Sequence, residues 1–230
     1  MWNEPPFFGT DKKEIAFLID PDKFDNSPSP LTGSLIEEFS PSYFFVGGSF
    51  LSSQSFDQTV RRLKQLYDLP VIIFPGDHTQ ISSQADALLF LSLLSGRNPE
   101  YLIGQQVKAA PGIKRSGIRV IPTAYLLIDG GKITTVQYVT QSLPLPADKP
   151  DLISATALAG QYMGMQAVYL ETGSGARQTV PESVVREVKS QIDIPLIVGG
   201  GVGSKEKIQA LWDAGANVVV IGTMLEKMLQ

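Results

Sequence analysis

The sequence predicts a (β/α)8 TIM barrel, an α/β fold built as one domain over residues 1–230. Three observations predict it. Eight short apolar runs lie at 15–19, 43–46, 71–74, 87–91, 119–121, 167–170, 196–198 and 218–221. Most are continuous rather than alternating, as parallel strands covered on both faces require. Helical patterns fall between several of them, which supports βα alternation. The last three runs each stop at a glycine cluster, the arrangement by which neighbouring parallel strands offer backbone amides to an anion at one rim. A chain of 230 residues is near the usual size of such a barrel and buries a substantial core.

Taken in order, the first run ends at Asp20-Pro21-Asp22-Lys23 and the second at Gly47-Gly48-Ser49. Val60, Leu63, Leu66 and Tyr67 then repeat at helical spacing before the third run. After Phe74, the segment Pro75-Gly76-Asp77-His78-Thr79-Gln80-Ile81-Ser82 is too short and broken for a full helix, so the third helix is expected to be irregular or missing. Residues 125–128, Asp129-Gly130-Gly131 and 132–139 read as a hairpin or strand pair around a glycine turn, an insertion that could edge a binding groove. The proline-rich stretch 144–150 reads as one loop. Pro181 suits the first turn of a helix bearing Val184, Val185, Val188 and Ile192, and Ile208, Leu211, Trp212 and Gly215 mark another before the last strand. Trp2, Trp212, Met163 and Met165 are expected in the core or at an oligomer interface, and a homo-oligomer is expected.

Composition narrows the partners. With 19 Lys+Arg against 23 Asp+Glu, a net charge of −4, the chain lacks the basic excess that follows a nucleic-acid backbone. Without cysteine there is no disulfide framework, thiolate zinc site or cysteine nucleophile. The longest apolar run, at 87–94, is far short of a membrane span, and residues 1–13 lack a secretory apolar region, so a soluble, cytoplasmic protein is expected.

The chemistry concentrates at the strand ends. Asp20 follows the first strand, at the rim where active sites of this fold lie. Alone, Asp20-Pro21-Asp22-Lys23 reads as a solvated turn. With the hydroxyl of Ser49 from the next strand end, however, Asp20 supplies the few hard oxygen ligands with which Mg²⁺ bridges a diphosphate. Tyr169-Leu170-Glu171-Thr172-Gly173-Ser174-Gly175 combines glycines that admit an anion, a serine hydroxyl and Glu171, which serves either as a base or as a hydrogen-bond partner for a substrate hydroxyl. Gly199-Gly200-Gly201, with Ser204 beyond it, and Gly222-Thr223 repeat the theme on the next two strands, so a convergent phosphate pocket is expected. His78, the single histidine, sits in a loop where an exposed or hydrogen-bonded histidine is commonplace.

The series from Leu18 to Lys23, Val46 to Ser49, Tyr169 to Gly175, Val198 to Val202 and Ile221 to Thr223 resembles the geranylgeranylglyceryl phosphate synthase family, including its bacterial relatives of the PcrB type. The likeness spans nearly the whole chain. It implies a prenyltransferase that joins sn-glycerol 1-phosphate to geranylgeranyl diphosphate, forming an ether and releasing diphosphate. It further implies Mg²⁺ held by Asp20 and Ser49, and glycerol phosphate held by Tyr169, Leu170, Glu171, Thr172, Gly173, Ser174, Gly175, Gly200, Gly201, Gly222 and Thr223. For such a transfer Glu171, placed between donor and acceptor, is the residue expected to accept the hydroxyl proton, the catalytic role. Some bacterial relatives have a lysine two residues before the first aspartate, where this chain has Leu18, so that contact does not carry over. A barrel lacking a regular third helix is also what the resemblance implies. Phe50, Tyr101, Leu102, Tyr125 and Leu126 are candidates for the wall of a prenyl groove or for ordinary core. The alternative reading is an isomerase on a phosphate-binding barrel, needing neither metal nor groove.

Overall fold

Eight parallel strands close on themselves in sequence order, β1 pairing with β2 and so on round to β8, which pairs back to β1. The structure is a computed structural model describing residues 7–24, 31, 33–51 and 56–228; Trp2 lies outside the described residues. The strands are β1 (Glu14–Ile19), β2 (Tyr43–Val46), β3 (Val71–Ile73), β4 (Ala87–Leu93), β5 (Arg119–Leu127), β6 (Ala167–Glu171), β7 (Leu196–Gly199) and β8 (Val218–Ile221). All eight expected strands are present. Those for β4 and β5 run further toward the C-terminal rim than the apolar runs suggested, to Leu93 and Leu127, because the two pair with each other along seven residues.

Side-chain alternation sorts the strands into two layers. Ala16, Phe45, Ile72, Leu89, Tyr125, Tyr169, Ile197 and Val220 fill the barrel, whereas Phe17, Phe44, Ile73, Leu88, Leu126, Leu170, Val198 and Ile221 face the surrounding helices. Both layers are apolar, which is why the runs show no period of two in polarity.

The helices are α1 (Pro21–Phe24), α2 (Gly33–Phe39), α3 (Phe56–Leu66), α4 (Gln105–Ser116, preceded by a π-helical turn at Glu100–Gly104), α5 (Thr135–Thr140), α6 (Pro150–Tyr162), α7 (Glu182–Gln191), α8 (Lys205–Asp213) and α9 (Thr223–Met228). In α3, Val60 and Leu63 are fully buried and Tyr67 packs just beyond its end, but Leu66 is exposed. In α7 every expected apolar position is buried, and Pro181 sits at the N-cap, one residue earlier than the first turn. Trp212 and Met165 pack against the outer core, whereas Met163 is exposed.

Two irregular regions matter for the site. Between β3 and β4 no helix forms: Asp77 accepts from the Thr79 amide and hydroxyl at 2.6 Å each, and the chain folds into successive turns. The missing third helix is therefore as expected. The expected hairpin over residues 125–139 is not. Residues 125–127 belong to β5; β6 pairs with it through Leu127 and β4 through Tyr125, and beyond Tyr125 the β4-side edge is taken by Leu145, whose amide donates to the Leu127 carbonyl at 2.8 Å and whose carbonyl accepts from the Asp129 amide at 2.9 Å, so residues 132–139 find no edge to pair with. The chain instead turns at Asp129–Gly131 and forms α5, which does edge the binding cavities described below.

At the opposite rim the closure depends on Asn217, nearly fully buried at the start of β8. Its side-chain carbonyl accepts from the Leu196 amide (2.9 Å) and the Lys189 amine (3.2 Å), and its amide donates to the Thr10 carbonyl (2.5 Å). One side chain thus ties β7, α7 and the segment entering β1 together. Truncating it leaves buried backbone groups unpaired, each costing about 1–3 kcal/mol. Asn217→Ala is expected to lower the unfolding free energy by about 2–4 kcal/mol, read as a fall in denaturant midpoint at unchanged slope.

Candidate functional site

Parallel closure points all eight strand ends to one rim, and the polar residues singled out in the sequence converge there on one cavity. Its lining takes Asp20 and Lys23 from the end of β1, Gly47, Gly48, Ser49 and Phe50 from β2, Tyr169, Glu171, Gly173 and Ser174 from β6, Gly200 and Gly201 from β7, and Gly222, Thr223 and Glu226 from β8 and α9. Phe74, Tyr125, Thr135, Val136, Val202 and Val220 add to the wall. Leu18 lines it too and lies close to Gly222, so an apolar side chain occupies that part of the rim.

Of the residues expected to hold a phosphorylated acceptor, Leu170, Thr172 and Gly175 stand outside the lining. Strand alternation turns Leu170 outward into the helix shell, leaving only its backbone near the site. The Thr172 hydroxyl is buried behind the loop of Gly200. Ser204 is used otherwise: its hydroxyl accepts from the Lys207 amide at 3.3 Å and caps α8.

Glycine is required at Gly200. Its φ of +83° suits few other residues, and a β-carbon there would run into the Thr172 hydroxyl and the Glu171 carboxylate. The turn so formed keeps the backbone of Gly200 and Gly201 open to the cavity.

Glu171 ends β6, almost wholly buried. Burial pushes its carboxyl up to about 7, against the opposing pull of the Gly173 amide, the Tyr169 hydroxyl and the Thr172 amide. The Gly173 N–H donates to one carboxylate oxygen at 2.6 Å. The Tyr169 hydroxyl faces the same carboxylate without a well-aligned hydrogen bond of its own. A carboxyl poised near neutrality, fixed by one backbone bond and open to the cavity, suits a general base.

Asp20 lies across the rim. Its Oδ1 accepts from the Asp22 amide at 3.0 Å, and its Oδ2 lies 3.5 Å from the Lys23 amine, which also bonds Glu226 at 2.7 Å. Partial burial raises the Asp20 carboxyl, and Lys23 offsets this in part. Among the described residues no three of His, Cys, Asp and Glu cluster as a metal cage. One carboxylate and one hydroxyl fit Mg²⁺, which keeps waters and takes further oxygens from a phosphorylated substrate. Lys23, read from the sequence as solvated, and Glu226, from the last helix, were missed as lining residues because nothing in sequence links positions so far apart.

A second, mostly apolar cavity opens beside the first. It lies between the β3–β4 segment and α4, walled by Leu89, Leu91, Tyr101, Ala109, Ile113 and Val139 among others. The two cavities share Gly48, Ser49, Phe74, Tyr125 and Val136. Of the groove candidates, Tyr101 and Tyr125 line the apolar cavity and Phe50 the polar one, while Leu102 and Leu126 belong to the outer core. His78 lines the apolar cavity, its Nδ1 2.9 Å from Gln105 Oε1, a hydrogen-bonded role.

Comparison with known proteins agrees with this geometry. The model of the PcrB family matches residues 10–229. A geranylgeranylglyceryl phosphate synthase of Pyrococcus horikoshii is 48% identical over 222 residues, covering 94% of this chain and 85% of that protein. The synthase of Chitinophaga pinensis is 46% identical over 215 residues, covering 94% and 85%. In three dimensions, the (S)-3-O-geranylgeranylglyceryl phosphate synthase of Thermoplasma acidophilum, solved with its substrate sn-glycerol-1-phosphate, superposes with a TM-score of 0.85 at 40% identity, covering 94% of this chain and 87% of that one.

The raised carboxyl of Glu171 ties stability to pH. The unfolded chain ionises this group near 4.5 and the folded chain near 7, so the folded state holds the extra proton between them. The associated stability is full below the lower value and is lost as pH rises through the upper one. Glu171→Gln is therefore expected to unfold less readily than the parent at pH 8 by up to about 3 kcal/mol, with the difference shrinking toward pH 4. Parallel stability curves for the two proteins across that range would count against a buried, near-neutral carboxyl.

Proposed function

The chain belongs to the PcrB family, and on that premise we propose that it is a geranylgeranylglyceryl phosphate synthase, transferring the prenyl group of geranylgeranyl diphosphate to sn-glycerol 1-phosphate. The observation that carries this reading is the pair of cavities, one polar and ringed by glycine loops, one apolar, meeting at Gly48, Ser49, Phe74, Tyr125 and Val136. An enzyme that joins a phosphate ester to a long hydrocarbon needs both. An isomerase of small phosphorylated sugars needs only the first.

In this reading the backbone amides at Gly200, Gly201, Gly222 and Thr223 bind the acceptor phosphate. The glycerol hydroxyls then lie toward Tyr169 and Glu171, and Glu171 takes the proton of the attacking hydroxyl as the ether C–O bond forms. The allylic C–O bond breaks at the same centre and diphosphate leaves. Asp20 and Ser49 are the residues that would hold Mg²⁺, which when bound offsets the charge developing on the departing diphosphate. Phe74, Tyr125 and Tyr169, whose rings meet with centroids 5.0–5.9 Å apart, keep water from the reacting carbon and present aromatic surface to positive charge. The apolar cavity takes the prenyl chain. A cytoplasmic location belongs to the same reading, supported by its charged, water-borne acceptor, and so does a homo-oligomer, supported by the exposed apolar side chains of Ile133, Tyr138, Leu143, Tyr162 and Met163; no helix among the described residues is long and apolar enough to cross a membrane.

The deciding experiment is stereochemical. A pocket that fixes both the phosphate and the hydroxyls presents one terminal hydroxyl to the allylic carbon, and misplacement by about 1 Å costs roughly 10²-fold. With Mg²⁺ and geranylgeranyl diphosphate, the protein is expected to use sn-glycerol 1-phosphate at least about 10²-fold better than its 3-phosphate enantiomer, measured as kcat/KM with products read by mass. Equal use of the two would overturn the assignment.

Removing the carboxylate on the donor side tests the metal. Asp20→Ala is expected to lower the rate by about 10²-fold or more, and near-normal turnover at saturating Mg²⁺ would remove Asp20 from the donor site.

A further inference from the structure

The segment that replaces the third helix supplies a buried side chain to the donor site. Gln80, 4% exposed, has both ends of its amide engaged. Its Oε1 accepts from the Gly76 amide at 3.0 Å, and its Nε2 donates to the Gly48 carbonyl at 3.2 Å. Gly48 directly precedes Ser49, and both line the seam between the two cavities. The contact is close packed: a β-carbon on Gly76 would collide with the Gly48 carbonyl and come within 3.0 Å of the Ser49 α-carbon. Only a glycine at 76 lets the β3 loop lie flat on the β2 loop, and Gln80 then bonds the two together.

We propose that Gln80 is a positioning residue of the donor site, holding the Gly48 peptide so that the Ser49 hydroxyl keeps its place toward the diphosphate and its Mg²⁺. The inference rests on the donor-site reading of Ser49. It explains why this stretch is turns instead of helix. A helix lying on the barrel exterior would hold its side chains outside the β2–β3 seam, whereas turns bring an amide side chain into it. Gln80 also lines the apolar cavity, so it stands where the hydrocarbon and the charged head of the donor meet. The acceptor loops at Gly200, Gly201, Gly222 and Thr223 follow β7 and β8, and the side-chain bonds of Gln80 go to Gly76 and Gly48, so the effect is confined to one substrate.

The test uses calorimetric binding of magnesium pyrophosphate and, separately, of sn-glycerol 1-phosphate to the full-length protein, Gln80→Met and Ser49→Ala. Gln80→Met keeps the volume and removes both hydrogen bonds. It is expected to weaken magnesium pyrophosphate by about tenfold, the loss of roughly one good hydrogen bond, while glycerol phosphate stays within about twofold. Gln80→Glu keeps the acceptor for Gly76 and removes the donor to Gly48; it is expected to weaken the same ligand and stands in if the methionine variant does not fold. In steady state the same split is expected in KM, raised for the prenyl diphosphate and unchanged for the acceptor. Equal weakening of both ligands would make Gln80 merely structural and overturn the proposal. Weakening by Ser49→Ala but not by either Gln80 variant would overturn it alone, and no effect of Ser49→Ala would overturn the donor-site reading and the proposal together.

Discussion

Closing the sheet is the constraint on which everything else depends. Eight strands, each hydrogen-bonded on both sides, leave no unpaired edge, and because all are parallel their C-terminal ends share one rim. Residues from eight separate stretches of chain, from Leu18 to Glu226, thereby meet around a single cavity. The same closure excludes a ninth strand, which is why the stretch after β5 leaves the sheet and returns as a short helix at the cavity's edge. Asn217 secures the ring at the far rim, so the side that holds the barrel shut and the side that binds are kept apart.

At the binding rim the fold accepts a cost at Glu171. Its neighbours on the barrel side are Tyr125 and Tyr169, both with hydroxyls held far above their usual pKa by burial, and no cation is among the causes that set its own proton affinity. A carboxylate in that setting is not a stabilising element. In the proposed reaction its place is that of a group that changes protonation near neutral pH. The glycines of the β7 loop serve the same end, since any side chain at Gly200 would occupy the space beside that carboxylate.

The opposite side of the rim, around Asp20 and Ser49, is organised differently. Asp20 is held by a local amide bond and by Lys23, which Glu226 shares, so its charge is partly balanced before any ligand arrives. Ser49 depends on loop packing, and here the absent helix becomes informative. Turns over residues 74–86 keep the wall low enough for the apolar cavity to open between them and α4, and they place Gln80 against the β2 loop. Loss of a regular element, the opening of an apolar cavity and the bond from Gln80 to the β2 loop are three aspects of one local structure.

The strands and their order were legible in the sequence because a parallel strand buried on both faces must be continuously apolar, and the glycines that end β6, β7 and β8 marked the rim. The broken stretch after Phe74 was legible too, since Pro75, Gly76 and Asp77 cannot sustain a helix. Residues 125–139 misled because a glycine turn between apolar segments has the same local pattern whether or not a free sheet edge exists to receive the second strand. Likewise Lys23 and Glu226, 203 positions apart, join at the cavity with no mark in either neighbourhood, and Leu170 and Glu171 differ in role only through the alternation of β6. Local chemistry therefore set which residues could form strands, turns and anion loops, because those preferences act over a few neighbours. Which side chains share a cavity, which carboxyl is buried to near neutrality and which amide side chain bonds the β2 loop were decided by closure of the barrel, a property of all eight strands at once.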